Sequence, residues 1–400
     1  MTTTTQKIPS GYKQTEIGVI PSDWSTKQLK SLVSEVIDNR GKTPPYSNNP
    51  DVELIETTSI SFVTKYPNYS KITKFVSKKT YDNWFRAHPI KDDLLVSTVG
   101  EYSGSSAMMG ENRGTIAQNL IALRIKDVNP TYVFYWTRSG NFKEQLDQVM
   151  MSQAQPSLRV PWLLNFYLNI PKPEEQTVIV SVLSDTDLLI ESLKNLIKKK
   201  KNIKQGVMQE LLTGKRRLPG FNDKWETKKL GELLDYEQPT KYLVKDTEYQ
   251  DNYTTPVLTA GKTFILGYTN EDAGIFKDLP VIIFDDFTTA TKFVDFPFKA
   301  KSSAMKMLKP RNKDINLRFV FEKMRMIDFK LGDHKRYWIS EYQNIEIDTP
   351  KPDEQKAIAT VLSDMDTEIE KLESQLTKYQ NIKQGMMQTL LTGKIRLLTK

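Results

Sequence analysis

The hydrophobic positions near the end of the chain fall at alternating steps of three and four, Ile369, Leu372, Leu376, Tyr379, Met386 and Leu390, with one position missing at Lys383. That spacing predicts a long helix with a heptad seam. The same seam occurs 179 residues earlier as Ile190, Leu193, Ile197, Lys200, Val207 and Leu211, with Lys200 standing where the later copy has Tyr379. Both helices have readable ends. Pro173 and Pro352 suit a first turn, and the acidic residues Glu174, Glu175, Asp353 and Glu354 sit where the helix dipole favours negative charge. Gly214 and Gly393 are the corresponding stops. Two seams in one chain most simply bury each other, so an intramolecular helix pair is expected, its register helped by the difference between Lys200 and Tyr379. The alternative is that each helix packs on its neighbouring domain as ordinary core. The basic run at residues 198–201 reads as a solvated face, with contact to phosphate as the alternative.

The two helical stretches are one repeat. Residues 171–218 match residues 350–397 without a gap, 29 of 48 positions being identical. Each copy opens on Pro-Lys-Pro-(Glu/Asp)-Glu-Gln and closes on Asn-Ile-Lys-Gln-Gly-x-Met-Gln-x-Leu-Leu-Thr-Gly-Lys-x-Arg-Leu.

Between the helices the pattern changes to short apolar runs, which predict strands. Candidates are residues 93–98 and 120–125 in the first segment, separated by a Gly- and Ser-rich loop, and 280–285 in the second. Both segments begin with Trp-x-x-Lys-x-Leu, at Trp24 and Trp225, and both end in a strand, near residues 165–168 and 344–347. Their interiors do not resemble each other. Near-identical helices imply one task done twice, and dissimilar interiors in matching frames imply two different ligands read in equivalent places.

Composition narrows the chemistry. The chain of 400 residues has no cysteine and two histidines, His88 and His334, which leaves no disulfides and no ordinary Cys/His metal site and fits a reducing cytoplasm. No leader-like or membrane-spanning apolar stretch is present. A formal net charge of +8 favours a polyanionic partner. Arg40-Gly-Lys-Thr43 and Ala260-Gly-Lys-Thr263 lack the upstream glycine of a phosphate-binding loop, Val36 and Pro256 standing there. The run 281–286, Val-Ile-Ile-Phe-Asp-Asp, is then a buried strand ending in acids. Thr43-Pro-Pro-Tyr46 lacks the amide or acid of an amino-methyltransferase tetrapeptide, and no Gly-rich cofactor loop follows a strand. Asp353, Glu354 and Lys356 lie contiguously on a helix and cannot converge on one metal. The histidines read as surface or hydrogen-bonded side chains, a triad role staying open.

The duplicated helical phrase, with the opening Thr15-Glu-Ile-Gly-Val-Ile-Pro-Ser-Asp-Trp24, resembles the specificity subunits of type I restriction-modification systems over essentially the whole chain. The resemblance implies an α+β, pseudo-two-fold protein in which two mixed α/β target recognition domains alternate with two long helices that pair as an intramolecular antiparallel coiled coil. The corresponding division is 1–170 for the first recognition domain, 171–217 for the central helical region, 218–349 for the second domain and 350–400 for the C-terminal helical region. It further implies a non-catalytic, cytoplasmic subunit that binds double-stranded DNA, two methyltransferase subunits and, through them, restriction subunits, with S-adenosylmethionine, ATP and Mg²⁺ belonging to those partners. The helix pair would act as a ruler. A helix over residues 184–213 would be about 45 Å long, comparable with one turn of B-DNA, and one inserted turn would shift the half-sites by about 5 Å.

Polar, Gly-rich loops supply the candidate DNA contacts. In the first domain they are Arg40, Lys42, Tyr46, Tyr102, Arg113, Gln118 and Asn119; in the second, Lys262, Thr288, Lys292, Lys301, Ser302, Ser303, Lys335 and Arg336, with Lys42 and Arg336 foremost. Two other functions stay open from the sequence, a protein-binding assembly scaffold and a stand-alone DNA-modifying enzyme.

Overall fold

The structure, a computed structural model, describes residues 8–62, 64–100, 102–116, 118–150, 157–261, 263–332 and 336–397. The repeat forms two helices of 39 residues, α1 (Pro173–Leu211) and α2 (Pro352–Leu390), each about 58 Å long. Both start at the expected proline. Beyond their ends Gly214 and Gly393 adopt φ of +71° and +70°, the left-handed conformation that closes a helix. Among the described residues no helix is long and apolar enough to cross a membrane.

The chain packs as two compact units, Met1–Leu193 with Gln375–Lys400, and Lys194–Ser374. A division at helix ends follows element boundaries, whereas these units cut through the middle of α1 and α2. The cores explain why. In the first unit Ile179 and Leu183 of α1 and Met387, Leu390 and Leu391 at the end of α2 bury with Trp24, Leu123 and Phe134. In the second, Leu211 and Leu212 and the α2 residues Ile358 and Leu362 bury with Leu230, Phe284 and Trp338. The outer seam positions Leu211 and Leu390 therefore serve domain cores. Ile190, Leu193, Ile197 and Ile369 are buried outside those cores, and Leu372, Leu376, Tyr379, Val207 and Met386 are half-buried.

Each unit holds its pieces together with the same clamp. In the first, the buried carboxylate of Glu175 accepts the Trp24 indole N–H at 2.9 Å and two N–H groups of Arg396 at 2.6 and 2.8 Å. In the second, Glu354 accepts Trp225 at 3.2 Å and Arg217 twice at 2.5 Å. The next residue repeats as well: Gln176 takes the Asn129 N–H at 2.8 Å and donates to Pro171 O at 2.9 Å, and Gln355 does the same with Asn316 and Pro350, at 2.9 Å each. These contacts explain why Glu-Gln recurs in both copies.

The helices run antiparallel within each unit. In the first, Lys383 of α2 pairs with Asp187 of α1 at 2.5 Å, and Tyr135 donates to the same aspartate at 2.9 Å. In the second, the equivalent residues pair with the copies exchanged, Lys204 with Asp366, and Arg318 reaches Asp366 at 2.5 Å. The missing heptad position is thus a lysine whose charge is met across the seam. Register rests on these pairs more than on Lys200 and Tyr379, since Lys200 binds Glu368 at the seam's edge. In the basic run Lys201 also pairs, with Glu373, while Lys198 and Lys199 are exposed.

The domain interiors fold alike despite their dissimilar sequences. The first unit has an antiparallel sheet in the order Val33–Ile37, Leu120–Ile125, β1 (Leu94–Ser97), β2 (Ser106–Met108). The second repeats it as Leu234–Glu237, Met305–Pro310, β3 (Val281–Asp285), β4 (Thr291–Val294). Alternate side chains of the central strands face two different cores, Leu94 and Val96 opposite Leu95, Ile282 and Phe284 opposite Val281 and Ile283. Burial on both faces is why these strands read as unbroken apolar runs. The opening and closing strands of each segment pair, Ser25–Gln28 with Tyr167–Ile170 and Glu226–Lys229 with Glu346–Thr349.

Removing Glu175 strands the buried Trp24 indole N–H and leaves Arg396 with Asp23 as its one remaining acid, so Glu175→Ala should lower stability by about 3 kcal/mol. Urea unfolding of the purified chain checks this; Glu174→Ala, an exposed neighbour, should change it by less than about 0.5 kcal/mol.

Candidate nucleic-acid interface

In the first unit the loop after Val33–Ile37 contributes to two recesses. One, of about 290 Å³, is lined by Asn39, Arg40, Lys42, Asn83, Trp84 and Arg86. Arg40 is turned onto Asp38 by a two-point contact at 2.8 and 2.6 Å, and its guanidinium holds the Asp38 carboxyl below the ordinary carboxylate range. Arg86 donates to Asp38 O at 3.1 Å, and its backbone N–H to Asn39 Oδ1 at 3.0 Å. Lys42 is exposed. The other recess, about 190 Å³, is lined by Pro44, Tyr46, Glu56, Thr57, Lys74, Gln118 and Asn119. Gln118 donates to Thr43 at 2.6 Å, and Lys74 lies 5.2 Å from the Tyr46 ring centre while pairing with Glu56 at 2.8 Å.

Five of the seven residues singled out from sequence in this domain therefore line these two recesses, Arg40 and Lys42 in one and Tyr46, Gln118 and Asn119 in the other. Arg113 is elsewhere, bound to Glu53 and stacked on Tyr69 at 4.5 Å. Tyr102 stands apart in the turn between β1 and β2, half its surface exposed. Trp84, Arg86 and Lys74 were not anticipated. They arrive from a segment with no glycine-rich signal and join the recess only through tertiary packing. His88 is hydrogen-bonded to Thr115 at 3.0 Å and stacked on Tyr81 at 3.6 Å, and burial holds its imidazole below the usual range. His334, Lys262 and Lys335 lie outside the described residues.

In the second unit one buried acid organises the candidate loops. Asp286, just after β3, is 2% exposed and pairs with Lys306, 1% exposed, at 3.0 Å. Its backbone N–H binds Ala304 O at 3.1 Å, its carbonyl accepts from Tyr337 N at 2.9 Å, and its Oδ1 accepts from Trp338 N at 2.9 Å. The turn carrying Thr288, the loop carrying Ser302 and Ser303, and the backbone beside Arg336 are thereby drawn together. Lys301 and Arg336 are exposed, and Lys292 lies on β4 with its ammonium 5.8 Å from the Phe264 ring centre. The acids ending the 281–286 run were legible; that one of them would be a hub was not, because Lys306 is twenty residues away.

The chemistry on offer is cationic side chains and amides beside exposed rings, which suits phosphate and base edges. A buried ion pair contributes little net stability, but breaking one is costly. Lys306→Met should therefore destabilise the second unit by about 3–5 kcal/mol, and Lys292→Ala, on the surface, by less than about 0.5 kcal/mol, both read by denaturant unfolding.

Comparison with known proteins gives concordant results. A family described as type I restriction modification DNA specificity domain matches residues 21–202 and 222–379. The chain is 51% identical over 164 residues to the specificity subunit of type I restriction enzyme EcoR124I/EcoR124II from Escherichia coli, a match spanning 40% of each chain. It is 26% identical to the MjaX specificity subunit of Methanocaldococcus jannaschii over 97% of both. In fold it is similar to the S subunit of a type I restriction-modification system from M. genitalium, with a TM-score of 0.64, 14% identity, and coverage of 96% of this chain and 98% of that one.

Proposed function

Matched over most of its length, the chain belongs to the type I restriction-modification DNA specificity family, and from that premise we propose that it reads a bipartite, asymmetric DNA site, one half-site per unit. As a specificity subunit it confers DNA sequence specificity without catalysing a reaction, and its partners are DNA and the methyltransferase and restriction subunits of the complex. On the proposed reading two methyltransferase subunits dock on the equivalent repeats, the helix pair sets the spacer, and S-adenosylmethionine, ATP and Mg²⁺ are bound by those partners.

The observation that carries this reading is repetition with a difference. The two units have the same clamp and the same central sheet order, yet the side chains on the corresponding loops differ, Gln118 and Asn119 before the second strand of the sheet order in one unit and Ser302, Ser303 and Ala304 in the other. Equal frames with unequal loops suit two unlike half-sequences. Phosphate contacts by the exposed lysines and arginines would make binding weaken steeply as salt rises.

The test is co-expression with the neighbouring methyltransferase followed by methylation-sensitive sequencing. A bipartite motif is expected, and exchanging residues 30–160 for those of a relative should change one half and leave the other. Methylation independent of this chain, or no complex, would favour a protein-binding scaffold instead.

A further inference from the structure

The two central sheets are topologically identical, so their hairpins can be compared strand for strand. β1 and β2 of the first unit correspond to β3 and β4 of the second. Each hairpin presents an exposed aromatic ring from its turn: Tyr102, 50% exposed, in the first and Phe287, 39% exposed, in the second. A singly exposed ring is common and means little alone. Here an exposed ring recurs in the same hairpin, four residues before its second strand, in two domains whose interiors share no sequence pattern.

Both turns are also braced beyond what a surface loop needs. Around Phe287, the Asp285 carboxylate accepts the backbone N–H groups of Phe287 at 2.9 Å and Thr288 at 3.3 Å, and the Asp285 carbonyl accepts Thr289 N–H at 2.9 Å. The next residue is the buried Asp286 of the Lys306 pair. Thr289 has φ of +56°, a conformation that a β-branched residue adopts only under constraint. Around Tyr102, Ser103 N–H binds Gly100 O at 3.0 Å, Ser105 N–H binds Tyr102 O at 2.9 Å, and Gly100 and Gly104 have φ of +87° and +86°. A strained threonine and an exposed phenylalanine both work against folding stability, and the buried charge pair beside them adds little to it. Their coincidence at one turn points to a ring held rigid for a ligand.

We infer that Tyr102 and Phe287 are base-reading probes, each making apolar contact with the C5 methyl group of a thymine in the major groove of the half-site read by its own unit. This rests on the proposed DNA-reading function. The thymine methyl is the one apolar group that a base edge offers in that groove, and an aromatic edge is an established partner for it. A ring on a fixed turn can reach a base while exposed lysines and arginines elsewhere in its unit take phosphate.

The experiment uses the full chain co-purified with its methyltransferase, carrying Tyr102→Ala or Phe287→Ala. Base preference at each position of the methylated sites is mapped by sequencing, and synthetic duplexes carry deoxyuridine in place of single thymidines. Each substitution should relax thymine preference at one position in one half-site, Tyr102→Ala in the half that the 30–160 exchange alters and Phe287→Ala in the other. At that position wild type should prefer thymidine to deoxyuridine roughly fourfold, the factor from burying one methyl group, and the variant should not distinguish them. Half or more of each ring is buried, so truncation lowers the melting temperature, but a merely structural loss lowers methylation at every site alike and leaves the thymine preference intact. An intact wild-type motif that neither substitution alters, or methylation lowered equally at every site, overturns this inference alone. A wild-type complex with no sequence dependence overturns the DNA reading as well.

Discussion

A carboxylate taken out of water must be met by charge and hydrogen bonds or it costs several kcal/mol, and Glu175 and Glu354 are each about 1% exposed. Each is satisfied only when three distant pieces of chain arrive together: the tryptophan that opens a domain, the first turn of one helix copy, and the arginine that follows the other copy. Half of the clamp is worse than none. The clamp therefore makes assembly of a unit close to all-or-none, and it sets where both long helices enter the domain. The same helix ends bury Ile179, Leu183 and Leu390 in one unit and Leu211, Ile358 and Leu362 in the other.

Further along the helices the same logic acts at lower cost. Asp187 with Lys383, and Asp366 with Lys204, are partly buried pairs with an additional donor on each acid, Tyr135 in one case and Arg318 in the other. An aliphatic residue at the lysine position would bury more apolar surface, but it would fit several alignments of the seam equally. A lysine that must find one aspartate fits one. Specificity of pairing, more than strength, is what the interrupted heptad provides.

The helices, their ends and the strands at 94–97, 120–125 and 281–285 could be read from the chain because each follows a local rule: heptad spacing, proline at the start, glycine at the stop, an apolar run between turns. The gap at Lys383 was visible as a gap; its meaning needed Asp187, 196 residues away. The common sheet order of the two domains was hidden, since a strand buried on both faces tolerates any close-packed apolar set and the loops between are under separate demands. Among the candidate contacts, loop composition located Lys42, Tyr46, Gln118 and Asn119 together, but Trp84, Arg86 and Lys74 join them through the fold alone. Arg40 and Arg113 illustrate the opposite limit, since a guanidinium in a polar loop can already be held by an acid, here Asp38 and Glu53.

Each clamp and each seam pair takes one member from either copy of the repeat, and the copies are interchangeable at every one of those positions: Glu175 and Glu354, Asp187 and Asp366, Lys204 and Lys383, Arg217 and Arg396. A genetic crossover falling inside the repeat would therefore deliver a foreign domain already fitted with the correct joint. The joints are held constant by each other, since a change in one copy must be answered in the other, while the loops beyond them are free to drift. If each unit reads its own half-site, as proposed, such a chain would acquire a new recognition sequence by replacing a module whole, without passing through a misfolded intermediate form.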